Sequence, residues 1–273
     1  MPPSIEVVIA TYNNVTDTQL VLEGYVQQTS KDFSVCIADD GSGPEIAQLV
    51  NSYQQKGMKV RHIWHEDLGF RRAMILNKAI KTSHADYLIF TDNDCIPSRY
   101  FIEDYQQRLS LNTLIFGRRV DLFEHVSQKF RQKKLPLKKL DSPLWLLKKA
   151  IQKQLKRVEV GIRFPVWELN RINKRQRSAL GANMGIPKRA LLAINGFDND
   201  FVGYGMEESD VERRLKLQGY QAHSIIGRCS LFHLYHQEKT PSEAALDMYN
   251  AKKDSANIVC KNGINQQDER LSV

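Results

Sequence analysis

The chain has 273 residues, of which 42% are hydrophobic and 26% are charged. This size and composition are typical of one large soluble α/β domain, or of a domain with a sizeable insertion. No stretch approaches the roughly 20 apolar residues that a membrane-spanning helix requires. The N-terminus lacks a basic segment followed by an apolar one, so no secretory signal is expected. The four cysteines form no C-x-x-C pair, which favours free thiols and a cytoplasmic protein.

The first part of the chain alternates between strand and helix patterns. Short apolar runs predict strands at 5–10, 33–38, 60–64 and 87–90. Helical spacing predicts helices between them, at 16–28, 44–56 and 72–81. The alternation predicts a mostly parallel sheet with right-handed crossovers. Because ligand loops gather at the carboxyl ends of such strands, we expect Asn13, Asp40 and Asp94 to approach one crevice.

The alternation stops after a further strand predicted at 114–117. Residues 128–177 contain 16 Lys or Arg and 3 Asp or Glu, a local charge of +13, so a chain of net +8 carries −5 elsewhere. We interpret 124–177 as a basic helical insertion. A strand-like run at 180–186 resumes the fold. The predicted single domain therefore has four parts, which are 1–123, 124–177, 178–240, and 241–273 with a C-terminal helix and a polar tail.

Two aspartates, Asp92 and Asp94, follow the apolar run at 87–90. Carboxylates at the end of a buried strand lie where α/β sheets bind ligands. Hard oxygen ligands suit Mg²⁺ or Mn²⁺, which usually complete their coordination with substrate phosphates. The alternative is that both side chains cap the next helix or form an Asx turn.

Five motifs, in this order, resemble the family-2 glycosyltransferases of the GT-A fold. They are Ala10-Thr11-Tyr12-Asn13, Asp39-Asp40-Gly41-Ser42, Thr91-Asp92-Asn93-Asp94, Gly203-Tyr204-Gly205-Met206-Glu207-Glu208 and His233. The stretch His65-Glu66-Asp67-Leu68-Gly69-Phe70-Arg71 is similar to a segment of bacterial polysaccharide transferases, especially chondroitin-synthase domains and enzymes of lipopolysaccharide or capsule assembly. The resemblance covers 5–123 and 180–239 and leaves the basic insertion unmatched.

The resemblance implies a GT-A type α/β fold with a Rossmann-like nucleotide-binding half. It also implies an inverting transfer of a sugar from a nucleotide diphosphate, usually UDP, to an acceptor hydroxyl. The implied partners are a UDP-sugar donor and a glycan or lipid-linked glycan acceptor.

The resemblance assigns the loops after the first two strands to the nucleotide. Thr11, Tyr12 and Asn13 offer polar groups to the base and ribose, and Asp40 can accept the uracil imide N–H. Asp39 is expected to support its loop. Turn capping is the alternative role for both aspartates.

Three further residues are predicted near the donor. Arg71 is a candidate phosphate or ribose contact, with a surface salt bridge as its alternative. Asn93 lies inside the D-x-D motif and is assigned to the donor. Asn183 is expected to line the donor or acceptor sugar site.

The metal ligands implied by the resemblance are Asp94 and a histidine. Asp94 is the firmer ligand, whereas Asp92 is expected to contact the ribose or to reach the ion through water. His233 matches the family's histidine, and His236 is an alternative that the spacing does not exclude. The expected cofactor is Mn²⁺ or Mg²⁺, acting as a Lewis acid on the departing diphosphate.

Glu207 and Glu208 occupy the place of the family's Glu-Asp pair. Inversion requires a general base for the attacking hydroxyl, and the resemblance points to Glu208. Glu207, Tyr204 and Gly205 are then expected to bind the acceptor, and Gly205 has no side chain to keep the sugar from the backbone. The alternative is an acidic first turn of a helix.

The segment 143–157 is predicted to be an amphipathic cationic helix. Its apolar positions 144, 147, 151 and 155 share one face, and Lys or Arg residues surround them. Such a helix suits an anionic membrane, so we expect the protein at the inner face of the cell membrane. The alternatives are ordinary packing on the core and binding of an anionic glycan acceptor.

Three rival functions remain at this stage. A nucleic-acid-binding protein would use the basic stretch 128–177, but no nucleic-acid motif is present and the acidic remainder disfavours a polyanion. A nucleotide-sugar pyrophosphorylase normally has a Gly-rich basic loop where Thr11-Tyr12-Asn13-Asn14 stands. A catalytically silent binding module is disfavoured by the acids Asp92, Asp94 and Glu208. We therefore predict a glycosyltransferase that does not bind nucleic acid.

Overall fold

The computed structural model describes residues 2–175, 177–201, 203–237 and 240–266. The predicted tail at 262–273 therefore lies partly outside the described residues, and Ile264–Gln266 within it forms a short 3-10 helix. The described strands are β1 (Ile5–Thr11), β2 (Ser34–Asp39), β3 (Val60–Trp64), β4 (Tyr87–Asp92), β5 (Cys95–Pro97), β6 (Thr113–Phe116), β7 (Arg119–Leu122), β8 (Leu155–Lys156), β9 (Met184–Pro187), β10 (Gln221–Ser224) and β11 (Leu231–His233).

The described helices connect these strands, and a second 3-10 helix spans Leu137–Asp141. They are α1 (Val15–Val26), α2 (Pro44–Gln55), α3 (Arg72–Thr82), α4 (Phe101–Gln106), α5 (Glu124–Arg131), α6 (Pro143–Ile151), α7 (Val158–Gly161), α8 (Val166–Ile172), α9 (Lys188–Ala193), α10 (Glu207–Leu217) and α11 (Glu243–Lys252).

A seven-stranded sheet forms the centre of the described structure, in the order β10-β6-β9-β4-β1-β2-β3. β1 pairs in parallel with β2 and β4, and β2 with β3. β9 alone runs antiparallel, between β4 and β6. Every residue of β1 is buried, as expected for a parallel strand covered on both faces. The predicted mostly parallel α/β sheet is confirmed.

Alternate residues of β1 face two different hydrophobic clusters. Val7 and Ile9 belong to the cluster that contains Tyr25 of α1. Val8 belongs to the cluster that contains Leu76 of α3. This alternation follows from the two-residue period of a strand, and it holds helices on both faces of the sheet.

A second, four-stranded sheet has the order β5-β11-β7-β8. Its short strand β5 begins directly after Asp94, and β11 pairs with β5 and with β7. In this register His233 lies opposite Cys95 on one side and Asp121 on the other. The second sheet therefore brings His233 close to the two aspartates at and after the end of β4.

Residues 124–177, which the sequence predicted to be a basic helical insertion, are not wholly helical. It contains helices α5 to α8, but β8 within it pairs with β7, and Leu155 lies opposite Leu122. The predicted helical face that included Leu155 is wrong, because α6 ends at Ile151 and Lys153 adopts a left-handed φ of 52°. Leu155 is only 5% exposed, so burial in the sheet outweighs its helical spacing. Among the described residues, no helix has both the length and the apolar character needed to cross a membrane.

Candidate active site

The carboxyl ends of β1, β2 and β4 lie together, as predicted. The backbone N–H of Asp40 donates to the Thr11 carbonyl over 3.0 Å, and that of Asn93 donates to the Ala10 carbonyl over 3.1 Å. These hydrogen bonds join the three loops that leave the sheet. The loops therefore lie side by side at the carboxyl edge of the sheet, where α/β sheets bind ligands; we call the region between these loops and the start of α10 the cleft.

The side chains of Thr11 and Asn93 are used to join these loops. Thr11 is 4% exposed, and its Oγ1 accepts a hydrogen bond of 2.9 Å from Asn93 Nδ2. Asn93 Nδ2 also donates to Thr18 Oγ1 on α1 over 3.2 Å. The structure therefore gives both side chains a role in loop geometry, where the sequence predicted donor contacts.

Tyr12 and Asn13 differ in how much side-chain surface each could offer to a ligand. Tyr12 is 52% exposed, and its hydroxyl donates to Asp67 Oδ2 over 2.8 Å. Asn13 has a left-handed φ of 47°, and its Oδ1 accepts from the Gly43 N–H over 3.1 Å. The exposed ring of Tyr12 is therefore the larger ligand-accessible surface of this loop.

The two aspartates after β2 have different partners. Asp39 Oδ1 accepts from the Ser42 N–H over 2.8 Å, and Oδ2 lies 2.9 Å from His62 Nε2. These contacts agree with a role for Asp39 in supporting the loop. Asp40 Oδ1 lies 2.6 Å from His65 Nε2, and Oδ2 accepts from the Arg71 N–H over 2.9 Å.

His65 was not singled out from the sequence as a partner of Asp40. It is buried, and its Nδ1 has no hydrogen-bond partner. The sequence drew attention to His65 only through its place in the stretch 65–71, and nothing in that stretch identifies Asp40 as the partner of the His65 imidazole.

Arg72, rather than Arg71, is the arginine of the cleft. The Arg71 guanidinium contacts the Glu66 carbonyl. The neighbouring Arg72 donates from NH2 to Asp92 Oδ1 over 2.9 Å, and its NH1 contacts the Glu207 and Glu208 carboxylates. Burial alone lowers the pKa of Arg72, but the three carboxylates raise it overall, so the guanidinium stays charged.

Glu207 is the more deeply buried member of the acid pair at the start of α10. It is 3% exposed, and its Oε2 has no hydrogen-bond partner. Burial, together with the charge of Glu208, raises the pKa of Glu207 to about 7 although Arg72 acts to lower it. A carboxyl group with a pKa near 7 is suited to proton transfer at neutral pH.

Glu208 packs against a glycine and is less buried than Glu207. A Cβ atom at Gly181 would lie 2.1 Å from Glu208 Oε1. The missing side chain at position 181 therefore makes room for this carboxylate. Its other contact is with Arg72.

The predicted acceptor residues lie just before α10. Tyr204 is 44% exposed, and its ring meets that of Phe70 edge-on, with centroids 6.2 Å apart. Gly205 has a φ of 108°, and a Cβ there would meet Pro241 at 2.8 Å. Gly205 is therefore needed for its backbone conformation and for packing on Pro241, whereas the sequence suggested close approach to a sugar.

Asp94, His233 and His236 form the main candidate metal centre. Their ligand atoms lie within 4.8 Å of one another, and Asp94 Oδ2 is 3.5 Å from His233 Nε2 and 3.1 Å from His236 Nε2. The two Nε2 atoms are 3.0 Å apart. The sequence left a choice between the histidines, and the structure brings both to the same carboxylate oxygen.

The pKa shifts in this centre agree with its geometry. Burial acts to raise the pKa of Asp94, but the two imidazoles hold it well below its usual value. Burial acts to lower the pKa of His233, but Asp121 and Asp94 outweigh burial and raise the pKa overall. Hydrogen bonding to Asp94 raises the pKa of His236. His233 Nδ1 lies 3.6 Å from Asp121 Oδ1, so Asp121 stands on the side of the ring from which carboxylates orient metal-binding histidines.

Asp92 lies between the two groups of charged residues. Its ligand atom lies within 4.8 Å of those of Asp94 and Cys95, while its Oδ1 accepts from Arg72. The side chain is 29% exposed. Asp92 therefore connects the candidate metal centre to the acid pair through a single arginine.

The prediction that Asn183 lines a sugar site is not supported. Asn183 is fully buried. Its Oδ1 accepts from the Tyr105 hydroxyl over 2.8 Å, and its Nδ2 donates to the carbonyls of Arg118 and Cys229. Each side-chain polar atom has a partner inside the core, and the side chain has no exposed surface to offer a sugar.

This fold and cleft define a GT-A type glycosyltransferase. The structure is similar to GalNAc-T7 with UDP, GalNAc and Mn²⁺, with a TM-score of 0.61 and 12% identity over 93% of this chain and 49% of that chain. It is also similar to the mannosyltransferase PcManGT from Pyrobaculum calidifontis in complex with GDP-Man and Mn²⁺. The TM-score is 0.57, with 15% identity over 87% of this chain and 59% of that chain.

The chain belongs to glycosyl transferase family 2, which it matches over residues 6–174. Residues 165–237 match the N-terminal domain of galactosyltransferase. Chondroitin synthase from Escherichia coli is 24% identical over 251 residues, which are 89% of this chain and 36% of that protein. Validoxylamine A glucosyltransferase from Streptomyces hygroscopicus subsp. jinggangensis is 24% identical over 233 residues, 80% of this chain and 52% of that protein. The chain thus spans about a third to a half of these relatives and is, as predicted, an enzyme of the glycosyltransferase class.

Proposed function

We propose that the enzyme is metal-dependent and inverting, and that it moves a sugar from a UDP-sugar to an acceptor hydroxyl in the assembly of a bacterial surface polysaccharide, lipopolysaccharide or capsule. One observation carries this proposal: Arg72 links Asp92, beside the Asp94–histidine centre, to the Glu207–Glu208 pair. The cleft thus offers a cation-binding end and a proton-accepting end.

The donor nucleotide is proposed to bind at the loops after β1 and β2. Each carboxylate oxygen of Asp40 has a second lone pair after its protein contacts, so the group can still accept the uracil imide N–H. The exposed Tyr12 ring lies on the neighbouring loop. One of the similar structures contains UDP and the other GDP-mannose, so a donor test needs both nucleotides.

The candidate metal centre fits a divalent cation, because one carboxylate and two imidazole nitrogens converge within 4.8 Å and both similar structures contain Mn²⁺. Asp94, His233 and His236 would hold the ion, with Asp92 nearby. A bound Mn²⁺ or Mg²⁺ would offset the charge that develops on the departing diphosphate. Nitrogen ligands favour Mn²⁺ over Mg²⁺, which prefers oxygen.

Glu208 is proposed as the general base and Glu207 as the residue that binds an acceptor hydroxyl. The free, buried Oε2 of Glu207 supports this division, because a donated hydroxyl hydrogen would satisfy it. The pKa of about 7 makes Glu207 the alternative base. Tyr204 offers an aromatic surface for the acceptor at the same end of the cleft.

The experiment that tests the function is nucleotide release from a panel of UDP-sugars and GDP-mannose. Wild type and Glu208→Gln are compared with a short glycan acceptor, in Mn²⁺ and in EDTA, and the anomeric configuration of the product is read by NMR. We expect one UDP-sugar to turn over with Mn²⁺ only, with inversion. Glu208→Gln is expected to lower kcat by roughly 10²- to 10⁴-fold.

The exposed residue Glu159 of α7 supplies a matched control, because Glu159→Gln makes the same chemical change at a position to which the proposal gives no role. Glu207→Gln separates the two acids: loss of acceptor binding raises the acceptor KM, whereas loss of a base lowers kcat. A wild type that neither turns over any donor nor binds UDP with Mn²⁺ in calorimetry would contradict the proposal. Retained configuration would contradict the inverting mechanism.

A further inference from the structure

We propose that the outward face of α6 docks the protein on an anionic phospholipid bilayer. This docking face consists of Leu144, Leu147 and Ile151, whose exposed fractions are 82%, 43% and 84%. Spacings of three and four residues place them on one side of the helix. Three large aliphatic side chains on one exposed helix face are unusual for a surface that meets only water.

The opposite side of α6 already packs on the protein. Leu146 is fully buried, and the Trp145 ring meets that of Phe130 edge-on at 6.1 Å. Ser142 caps the helix by accepting from the Trp145 N–H. Because α6 is held by its inner side, the docking face is presented to the exterior in a fixed orientation.

The docking face is surrounded by positive charge with little compensation. Between residues 129 and 157 the chain has 11 Lys or Arg, and Asp141 is its one acid. Lys148 lies on the docking face itself, four residues after Leu144. Six exposed lysines of this stretch form no ion pair with an acidic side chain among the described residues; they are Lys134, Lys138, Lys139, Lys148, Lys153 and Lys156.

The combination of aliphatic side chains and uncompensated lysines favours a bilayer as the occupant. Aliphatic side chains can enter the region between headgroups and acyl chains while lysines contact anionic headgroups. A symmetric dimer through this face would bring two copies of the same positive surface together. A nucleic acid or an anionic glycan would match the lysines but would leave the aliphatic side chains in water.

The docking face lies close along the chain to strand β8, which pairs with the strand that carries Asp121 of the candidate metal centre. The chain runs from α6 to β8, where Lys156 lies opposite Asp121 of β7. Asp121 in turn lies 3.6 Å from His233 Nδ1. Docking through α6 would therefore fix the distance and orientation of the cleft relative to the membrane surface. A lipid-linked acceptor in that membrane would then be within reach of the cleft.

The test is co-sedimentation with phosphatidylcholine vesicles, with and without phosphatidylglycerol, at low and high salt. Wild type is expected to bind only the anionic vesicles, and less at high salt. Leu144→Ser/Ile151→Ser is expected to lower the affinity by roughly tenfold or more. Lys148→Glu/Lys153→Glu is expected to lower it by at least about 25-fold, since each lysine near an anionic surface contributes roughly a fivefold factor.

Matched controls use exposed residues of the same types elsewhere: Leu192→Ser/Leu217→Ser and Lys59→Glu/Lys253→Glu. These controls should bind vesicles like wild type, and all variants should keep the wild-type unfolding temperature and turnover on a soluble acceptor. The last readout separates this inference from the proposed reaction. The inference is overturned if wild type ignores anionic vesicles at low salt, or if both docking-face variants bind like wild type. It is equally overturned if Leu144→Ser/Ile151→Ser only converts a dimer to a monomer.

Discussion

Arg72 donates a hydrogen bond of 2.9 Å to Asp92, and the other end of its guanidinium lies 3.5 Å from Glu207 Oε1. The same cation also contacts Glu208. One buried positive charge therefore holds three carboxylates that come from β4 and α10. Both ends of the proposed cleft depend on this residue, although it belongs to neither a D-x-D motif nor a Glu pair.

Replacing Arg72 should affect both folding and turnover. Arg72→Ala leaves the buried Glu207 without its counter-charge, and we expect the free energy of unfolding to fall by about 3–5 kcal/mol. Arg72→Lys keeps the charge but not the forked geometry, so it should be more stable than the alanine variant and still impaired in kcat. Denaturant unfolding and nucleotide release measure the two effects. Arg71→Ala is the matched control, and an equal loss in both alanine variants would argue against a special role for Arg72.

Glu207 should make stability depend on pH. Its pKa is about 7 in the folded protein and 4.5 ordinarily. The folded state therefore binds a proton that the unfolded state releases, and this stabilisation is fully present below about pH 4.5. It is lost as pH rises through about 7, and it amounts to roughly 3 kcal/mol. Between pH 4 and 8, the free energy of unfolding of wild type should fall by roughly 3 kcal/mol relative to that of Glu207→Gln. Parallel pH profiles of stability for the two proteins would refute the raised pKa of Glu207.

The two histidines should both contribute to Mn²⁺ binding. His233→Ala removes the imidazole that Asp121 orients, and we expect Mn²⁺ affinity to fall by more than roughly 100-fold in calorimetry. Asp121→Asn keeps the ligand but loosens its orientation, which typically costs about 10- to 100-fold. His236→Ala should also weaken binding. The exposed His223 of β10 provides the control variant, and unchanged affinity in both His233→Ala and His236→Ala would exclude this centre.

Asn183 should matter for stability and not for the donor. Asn183→Ala leaves the Tyr105 hydroxyl and the buried Cys229 carbonyl without a partner, so we expect roughly 2–5 kcal/mol of lost unfolding free energy. The donor KM of the folded fraction should stay at the wild-type value. Asn51→Ala, at an exposed position of α2, serves as the control. A stable Asn183→Ala protein with a raised donor KM would restore the sugar-site prediction.

The sequence was sufficient where one local pattern determines the structure. The apolar run at 87–90 predicted β4, and the position of Asp94 after it follows directly from the strand's end. The four early strands and the parallel sheet follow from the same reasoning, because buried strands leave near-continuous apolar runs. The convergence of Asp94 with a late histidine required the resemblance as well.

The sequence was insufficient where distant contacts choose between neighbours. Arg71 and Arg72 are adjacent at the start of α3, and only the orientation of that helix decides which one enters the cleft. Asn183 is polar and follows a glycine and an alanine, yet Tyr105 and Cys229 enclose it from other elements. Leu155 fits a helical spacing, but pairing with β7 offers it a buried position. In each case, contacts with distant parts of the chain determine the outcome, and the local sequence pattern does not reveal them.

The second sheet sets an order for building the catalytic centre. Its strands come from widely separated parts of the chain, and Cys95 must wait for His233 before their pairing can form. β1 to β4, in contrast, all lie within residues 5–92. As the polypeptide leaves the ribosome, the proposed nucleotide side can therefore fold before β11 is made, while the proposed cation site must await β11. A polypeptide that ends before residue 233 would carry Asp92 and Asp94 without either imidazole, so it would lack the nitrogen ligands of the proposed metal site.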